Sequence, residues 1–315
     1  MTFENHDKRI KRRNFLKWGG ASLLAFPLMT KAKLAFGISP SYWWGPQNYW
    51  QGPEGSEYCV HKTVNDGQVN EGSIWARVDG WWKKFPIRDL EDTFWDWNFK
   101  ERNTSFEDQL SDEPYEYRAG GPHSPSVATY GNRKGRGDSD FHLNSKIIGI
   151  NCAPDKDHVK EINDTMLQML EENADHKTKV AYLLDIHQQD IWRKNVQVGT
   201  ELFSGPTWHT HTFYNLMENP VATLCYQGRY NIMESFEVRC IAHIVHPRDP
   251  NISEDIYQLS IFPSVLHGFY HDFYPDNINE PAVLYYSVEE FHNSVIQKGT
   301  RLVRKIQEKA RRFFA

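Results

Sequence analysis

Apolar positions recur along this chain with two different periods, and the clearest patterns begin near residue 156. Val159, Ile162, Met166 and Met169/Leu170 fall at helical spacing with acids and lysines between them, which predicts an amphipathic helix ending near Asn173. The largely apolar run Lys179–Ile186 reads as a buried strand. Gln188, Gln189 and Asp190 make a turn, and Trp192–Val198 reads as a second strand, with Val196 and Val198 alternating against Asn195 and Gln197. Leu202 and Phe203 begin a third, which Ser204-Gly205-Pro206 breaks. Phe213–Met217 predicts a short helix stopped at Asn219-Pro220, because proline pushes the residue before it out of the helical region. Val221–Tyr226 follows as a strand.

The strongest alternation is Phe236–Val245, with Phe236, Val238, Cys240, Ala242 and Ile244 on one face and Glu237, Arg239, Ile241, His243 and Val245 on the other. Ile256–Ile261 begins a helical or extended crossover, Ala282–Val288 is a last strand, and Leu302, Val303, Ile306, Ala310 and Phe313 fit a final amphipathic helix. These elements imply a mainly β (α+β) fold, a small closed barrel of about six antiparallel strands with flanking helices.

Residues 38–155 have a different grammar, rich in aromatics, Gly and Pro and poor in aliphatic runs. Nine of the eleven Trp precede residue 100, too many large rings for a disordered tail. They require burial against the rest of the protein or a partner. The expectation is an irregular wrapping region with few regular elements, and Gly120–Asp140 reads as a long loop.

The amino terminus changes the picture of where the protein works. Lys11-Arg12-Arg13-Asn14-Phe15-Leu16-Lys17 sets a twin arginine before Phe-Leu-Lys. The apolar run Gly19–Leu28 is too short to span a bilayer, and small residues at Ala32, Ala35 and Gly37 suit cleavage. Residues 1–37 read as a twin-arginine signal peptide, so the expectation is a periplasmic or extracytoplasmic protein delivered folded by the twin-arginine export machinery. Those residues carry eight Lys/Arg against two Asp/Glu, so the mature chain is six charges more acidic than the −5 of the whole. Such a balance argues against nucleic acid and against electrostatic docking on anionic lipid.

Cys59, Cys152, Cys225 and Cys240 allow two disulfides in three pairings, or act as small buried hydrophobes. No Cys/His spacing points to zinc. His209 and His211 share a strand face, but the further ligands of a metal site are missing, and no metal is expected. No nucleophile elbow, GxxxxGK or GxGxxG motif is present.

The run Thr210–Tyr226, with Asn215-Leu216, Asn219-Pro220 and Val221-Ala222 in order, resembles the pyridoxamine 5'-phosphate oxidase-like, FMN-binding split-barrel family. Val180–Ile186 resembles its first barrel strand and Trp192–Val196 its second. Val238–Val245 resembles the strand before its helical insertion, and Pro275–Val288 its closing strand. The match covers about residues 158–295. It implies a split barrel over 156–295 with a C-terminal helix over 296–315, FMN as cofactor, a homodimer with the flavin between subunits, and an oxidoreductase acting on a small-molecule substrate or redox partner. By the same resemblance Arg193, Lys194 and Val196 line the cofactor's phosphate strand, and Thr210, His211, Thr212 and Asn215 its phosphate loop and helix. The family's usual Arg-Lys pair is His211-Thr212 here, which removes charge from the anion site. A haem-binding or non-catalytic protein on the same barrel is the alternative.

Overall fold

The computed structural model describes residues 49–111, 120–131, 142–200, 204–207, 209–229, 234–271, 275 and 278–292. The signal segment, Leu202-Phe203, Trp208 and the basic C-terminal helix expected from the sequence lie outside the described residues.

The chain opens with a ribbon of β1 (Trp50–Gln51) and β2 (Tyr58–Cys59). A three-stranded antiparallel sheet follows, β3 (Val64–Asn65), β4 (Ser73–Val78) and β5 (Trp81–Pro86). Then come α1 (Asp92–Leu110), β6 (Ser126–Tyr130), β7 (Leu143–Ile147), β8 (Ile150–Pro154), α2 (Val159–Glu171), α3 (His176–His187), β9 (Trp192–Gly199), α4 (His211–Glu218), β10 (Val221–Gln227), β11 (Ser235–Val245), α5 (Glu254–His271) and β12 (Ala282–His292). Seven strands form one antiparallel sheet in the order β7-β6-β10-β11-β12-β9-β8.

That sheet is curled. Its two edge strands, β7 and β8, are consecutive in sequence and separated only by Ile148 and Gly149. Laid flat, seven strands would hold them ~29 Å apart, whereas three Cα steps reach at most ~11 Å. Tyr226 of β10 also donates its hydroxyl hydrogen bond to Gln197 Oε1 of β9, although β11 and β12 lie between those strands. The face they share is therefore concave. Among the described residues no ladder joins β7 to β8. Instead the Ile150 amide donates to His123 O and the Ile148 amide to Pro125 O, so the edge of β8 turns to the segment leading into β6. The closed barrel expected from the sequence is corrected to an incompletely closed sheet.

Each face has its own core. Phe236, Val238, Cys240, Ala242 and Ile244 face the concave interior, with Leu224, Tyr226, Val127 and Tyr285. Phe94 of α1 plugs it, its ring meeting Tyr226 at 5.1 Å and Phe236 at 5.2 Å edge-on. Ile241 and Val245, on the alternate positions of β11, pack outward with Val196, Val198, Leu284 and Tyr286 against α2, α3, α5 and the small sheet. A strand covered on both faces is apolar on both.

Lys179–Ile186 is helix, not strand. Asp175 caps α3, accepting from Thr178 N at 3.0 Å and from Thr178 Oγ1 at 2.6 Å. Val180, Leu183 and Ile186 then fall on one buried face. A short apolar run fits both periods, and the cap decides. The strand that pairs with β9 on that side is β8, drawn from the stretch read as irregular.

The described part of 38–155 is largely regular, which corrects the irregular expectation. In α1 the buried positions are Phe94, Trp97, Asn98, Glu101, Arg102, Ser105 and Phe106, a heptad-like stripe. Hydropathy hides it because four of the seven are polar. Arg102 bonds Asn98 Oδ1, Pro122 O and Ile150 O, and Glu101 accepts from Arg229 N, so these groups are satisfied within the core. The expected loop 120–140 contains β6. All four Cys are free, and Cys59, Cys152 and Cys240 are buried, as small hydrophobes. No described helix is long and apolar enough to cross a membrane.

Candidate functional site

The structure disperses the residues singled out by the sequence. Val196 is fully buried in the outer core. Lys194 pairs with Asp92 at 3.0 Å, its ammonium 5.8 Å from the Trp95 ring centroid. Arg193 lies half-buried beside it on β9.

Thr210, His211, Thr212 and Asn215 gather at α4. Thr210 is its N-cap, Oγ1 accepting from Phe213 N at 3.1 Å. His211 is exposed, while Thr212 is buried and accepts from Asn144 Nδ2 at 2.7 Å. Asn215 Nδ2 donates to Thr129 Oγ1 at 3.1 Å and Thr129 O at 3.2 Å. Asn219 accepts from the Asp79 amide and donates to Tyr130 O. The Asn-Leu-x-x-Asn-Pro segment thus fastens α4 to β6 and to the β4–β5 turn. His209 precedes the cap. Trp50 Nε1 donates to its Nε2 at 2.8 Å, the ring stacks on Phe213 at 4.9 Å, and burial lowers its pKa to about 4. No group of three or more His, Cys, Asp or Glu positioned for a metal ion exists among the described residues.

A cleft lies elsewhere, on the outer face of β6, β10, β11 and β12, beside β5. It encloses about 530 Å3, within the ~300–1,000 Å3 typical of small-molecule sites. Cross-strand register builds its floor. Val221 pairs with Ile241, Thr223 with Arg239 and with Ala128, and residues paired this way share a face. Phe85 and Val288 complete apolar walls, and Tyr130, Arg88 and Glu289 bring polar groups to the rim. Arg239 is engaged by Glu237 at 2.9 Å and Glu289 at 3.3 Å. Arg88 has no ion-pair partner among the described residues, and it is exposed. Burial raises the Tyr130 phenol above its ordinary pKa, and the adjacent Asp79, 3.2 Å from the hydroxyl, adds to this. None of the residues expected from sequence lines this cleft.

The same outer face continues uncovered to the sheet edge. Leu143 and Ile147 of β7 are each 70% exposed, with Tyr130 at 40% and Trp81 at 74%. Tyr130 pairs with Leu143, Ala128 with Ser145, and Ser126 with Ile147, so this apolar strip adjoins the cleft. Sequence reasoning missed it because β6 lay inside the presumed loop 120–140 and β7 inside the region 38–155 read as irregular. The alternation of Leu143 with Asn144 and of Ile147 with Lys146 was the available signal.

No family model matches the chain, and no curated protein matches it. A solved structure of an F420 reductase is similar over 57% of this chain and 98% of its own, at 14% identity and a TM-score of 0.29, a likeness that carries no argument. What defines the protein's class is its own architecture, an α+β fold on a curled seven-stranded antiparallel sheet.

Proposed function

We propose that this chain is a split-barrel oxidoreductase, exported folded through the twin-arginine route, that binds a flavin such as FMN in the outer-face cleft at the seam of a homodimer. The observation carrying this reading is the cleft itself, an apolar floor for a flat ring with Arg88, which has no ion-pair partner among the described residues, at its rim. The donor set fits the group. Val221, Ile241, Phe85 and Val288 take the ring, the Thr223 and Tyr130 hydroxyls offer hydrogen bonds, and Arg88 takes the phosphate. A phosphate dianion calls for more than one cation, and a second copy docked on the Leu143–Ile147 strip supplies the rest. Exposed apolar area of this kind marks an interface.

When bound, a flavin supplies hydride or single-electron transfer. The chain's own part is to hold the ring, exclude water through Phe85 and Val288, and orient the substrate. Among the described residues that line the cleft no His offers an axial ligand, so flavin is preferred to haem in this reading. Protein recovered after export is expected to carry flavin absorbance. If it neither carries flavin nor takes up added FMN, the proposal fails. In the second arm, Arg193→Ala with Lys194→Ala tests whether the cations expected from the family resemblance hold the phosphate instead.

A further inference from the structure

On the far side of the small sheet a second concavity of about 360 Å3 opens between β2–β3 and the turn that leads into α5. Two carboxylates, Asp66 and Asp249, and three imidazoles, His61, His243 and His246, line it, with no Lys or Arg among its described walls, though the Arg248 cation lies near enough to help lower the His246 pKa. The imidazoles have different tasks. His61 is spent at both nitrogens: Nδ1 accepts from the Ile244 amide at 2.9 Å, and Nε2 donates to Leu216 O at 2.9 Å. It is therefore neutral, its pKa lowered to about 3 by burial and by His243 beside it. By holding the Ile244 amide it fixes the backbone next to His243. His246 accepts the Arg248 amide at Nδ1 and is likewise neutral, lowered to about 4 chiefly by burial. Asp249 is engaged in a turn with Asn251, accepting from its amide and side chain.

His243 and Asp66 remain. His243 Nδ1 lies 3.4 Å from Asp66 Oδ2, with side-chain exposures of 15% and 38%. The two groups touch without the alignment of a hydrogen bond. The Asp66 carboxyl is held below its usual range chiefly by the His243 contact, so it is ionised at neutral pH. An acid-lined hollow with neutral His61 and His246 repels anions and attracts a cation. Its other walls, Val60, Val245, Ile252 and Ile256, suit an apolar body.

We propose that this hollow is a second ligand site, taking a small amine whose ammonium group sits against Asp66 while its alkyl or aryl body packs on Ile252 and Ile256. In it, His243, 3.4 Å from Asp66 through Nδ1, helps to hold that carboxylate in place. The site does not depend on the flavin cleft, which lies across β3–β5 and shares no lining residue with it.

The test uses the full mature chain and three probes of one shape, benzylamine, benzyl alcohol and benzoate, in calorimetric titrations at pH 7. Benzylamine is expected to bind and benzoate to give no heat. Asp66→Asn should weaken benzylamine at least about tenfold, the loss of one charge-assisted contact, and Ile256→Trp, which fills the hollow, should abolish binding. Thermal melts confirm that both variants are folded. Equal binding of benzoate, benzylamine affinity untouched by both variants, or no binding by the parent protein would each overturn the proposal.

Discussion

The Arg88 amide donates to the Ser287 carbonyl at 2.9 Å, and this one bond joins the exit of the small sheet to β12. It fixes Arg88 at the rim of the outer-face cleft, where its guanidinium has no ion-pair partner among the described residues. The contact is made by backbone, so Arg88→Ala leaves it in place and removes only the charge. Loss of a charge-assisted contact to phosphate costs ~1.5–3 kcal/mol, so FMN affinity should fall at least about tenfold with the melting temperature unchanged. Flavin fluorescence titrations measure this, and an unchanged Kd would remove Arg88 from the site.

Leu143 and Ile147 stand 70% exposed on an edge strand, an arrangement soluble proteins avoid unless something covers it. Leu143→Asp with Ile147→Asp should convert a dimer to a monomer in light-scattering chromatography and weaken FMN at the same time. A parent protein that is monomeric at micromolar concentration would refute the seam.

Asn215 holds α4 against β6 through Thr129. In Asn215→Leu the buried acceptors lose their donor. The expected loss of stability is about 2–3 kcal/mol in urea unfolding.

His187 is fully buried, its pKa lowered to about 3 by desolvation and the nearby Arg102 cation. His61 and His123 are lowered to about 3 as well. Each is neutral in the fold and protonates near 6.5 once unfolded. Their contribution is fully present above pH 6.5 and is lost as pH falls from there toward 3. Melting temperature should decline over that window. His187 Nε2 has no hydrogen-bond partner among the described residues, and Phe99, Phe106 and Trp192 pack against the ring. His187→Phe should therefore fold and flatten part of the decline. A parallel slope in the variant would rule this out.

Glu290 titrates in the opposite sense. Burial pushes its carboxyl up to about 7, although the Glu91 amide donates to it at 2.7 Å. The fold favours the protonated form, so its stabilising contribution is complete below about 4.5 and is lost as pH rises through about 7. Glu290→Gln should remove a rise in stability seen on acidifying from pH 8 to pH 6. Since the carboxylate is partly solvated, the effect is small and best read from differential melts.

What the sequence determined by itself was local. The alternation in Phe236–Val245 located β11 and sorted its side chains onto the two faces that the two cores occupy. Asn219-Pro220 marked the end of α4, while its start at His211, capped by Thr210, lay two residues before the predicted Phe213. These signals are carried by neighbouring residues and act through backbone geometry. Tertiary structure decided the remainder. Whether Lys179–Ile186 became helix rested on the Asp175 cap and on packing against α1, since its apolar run suited either period. The stripe on α1 was invisible to hydropathy because Arg102 and Glu101 find distant partners in β8 and at residues 122 and 229. The outer cleft joins residues 85, 130, 221, 241 and 288, brought together by strand register over two hundred positions, and no short-range pattern encodes a neighbour that far away.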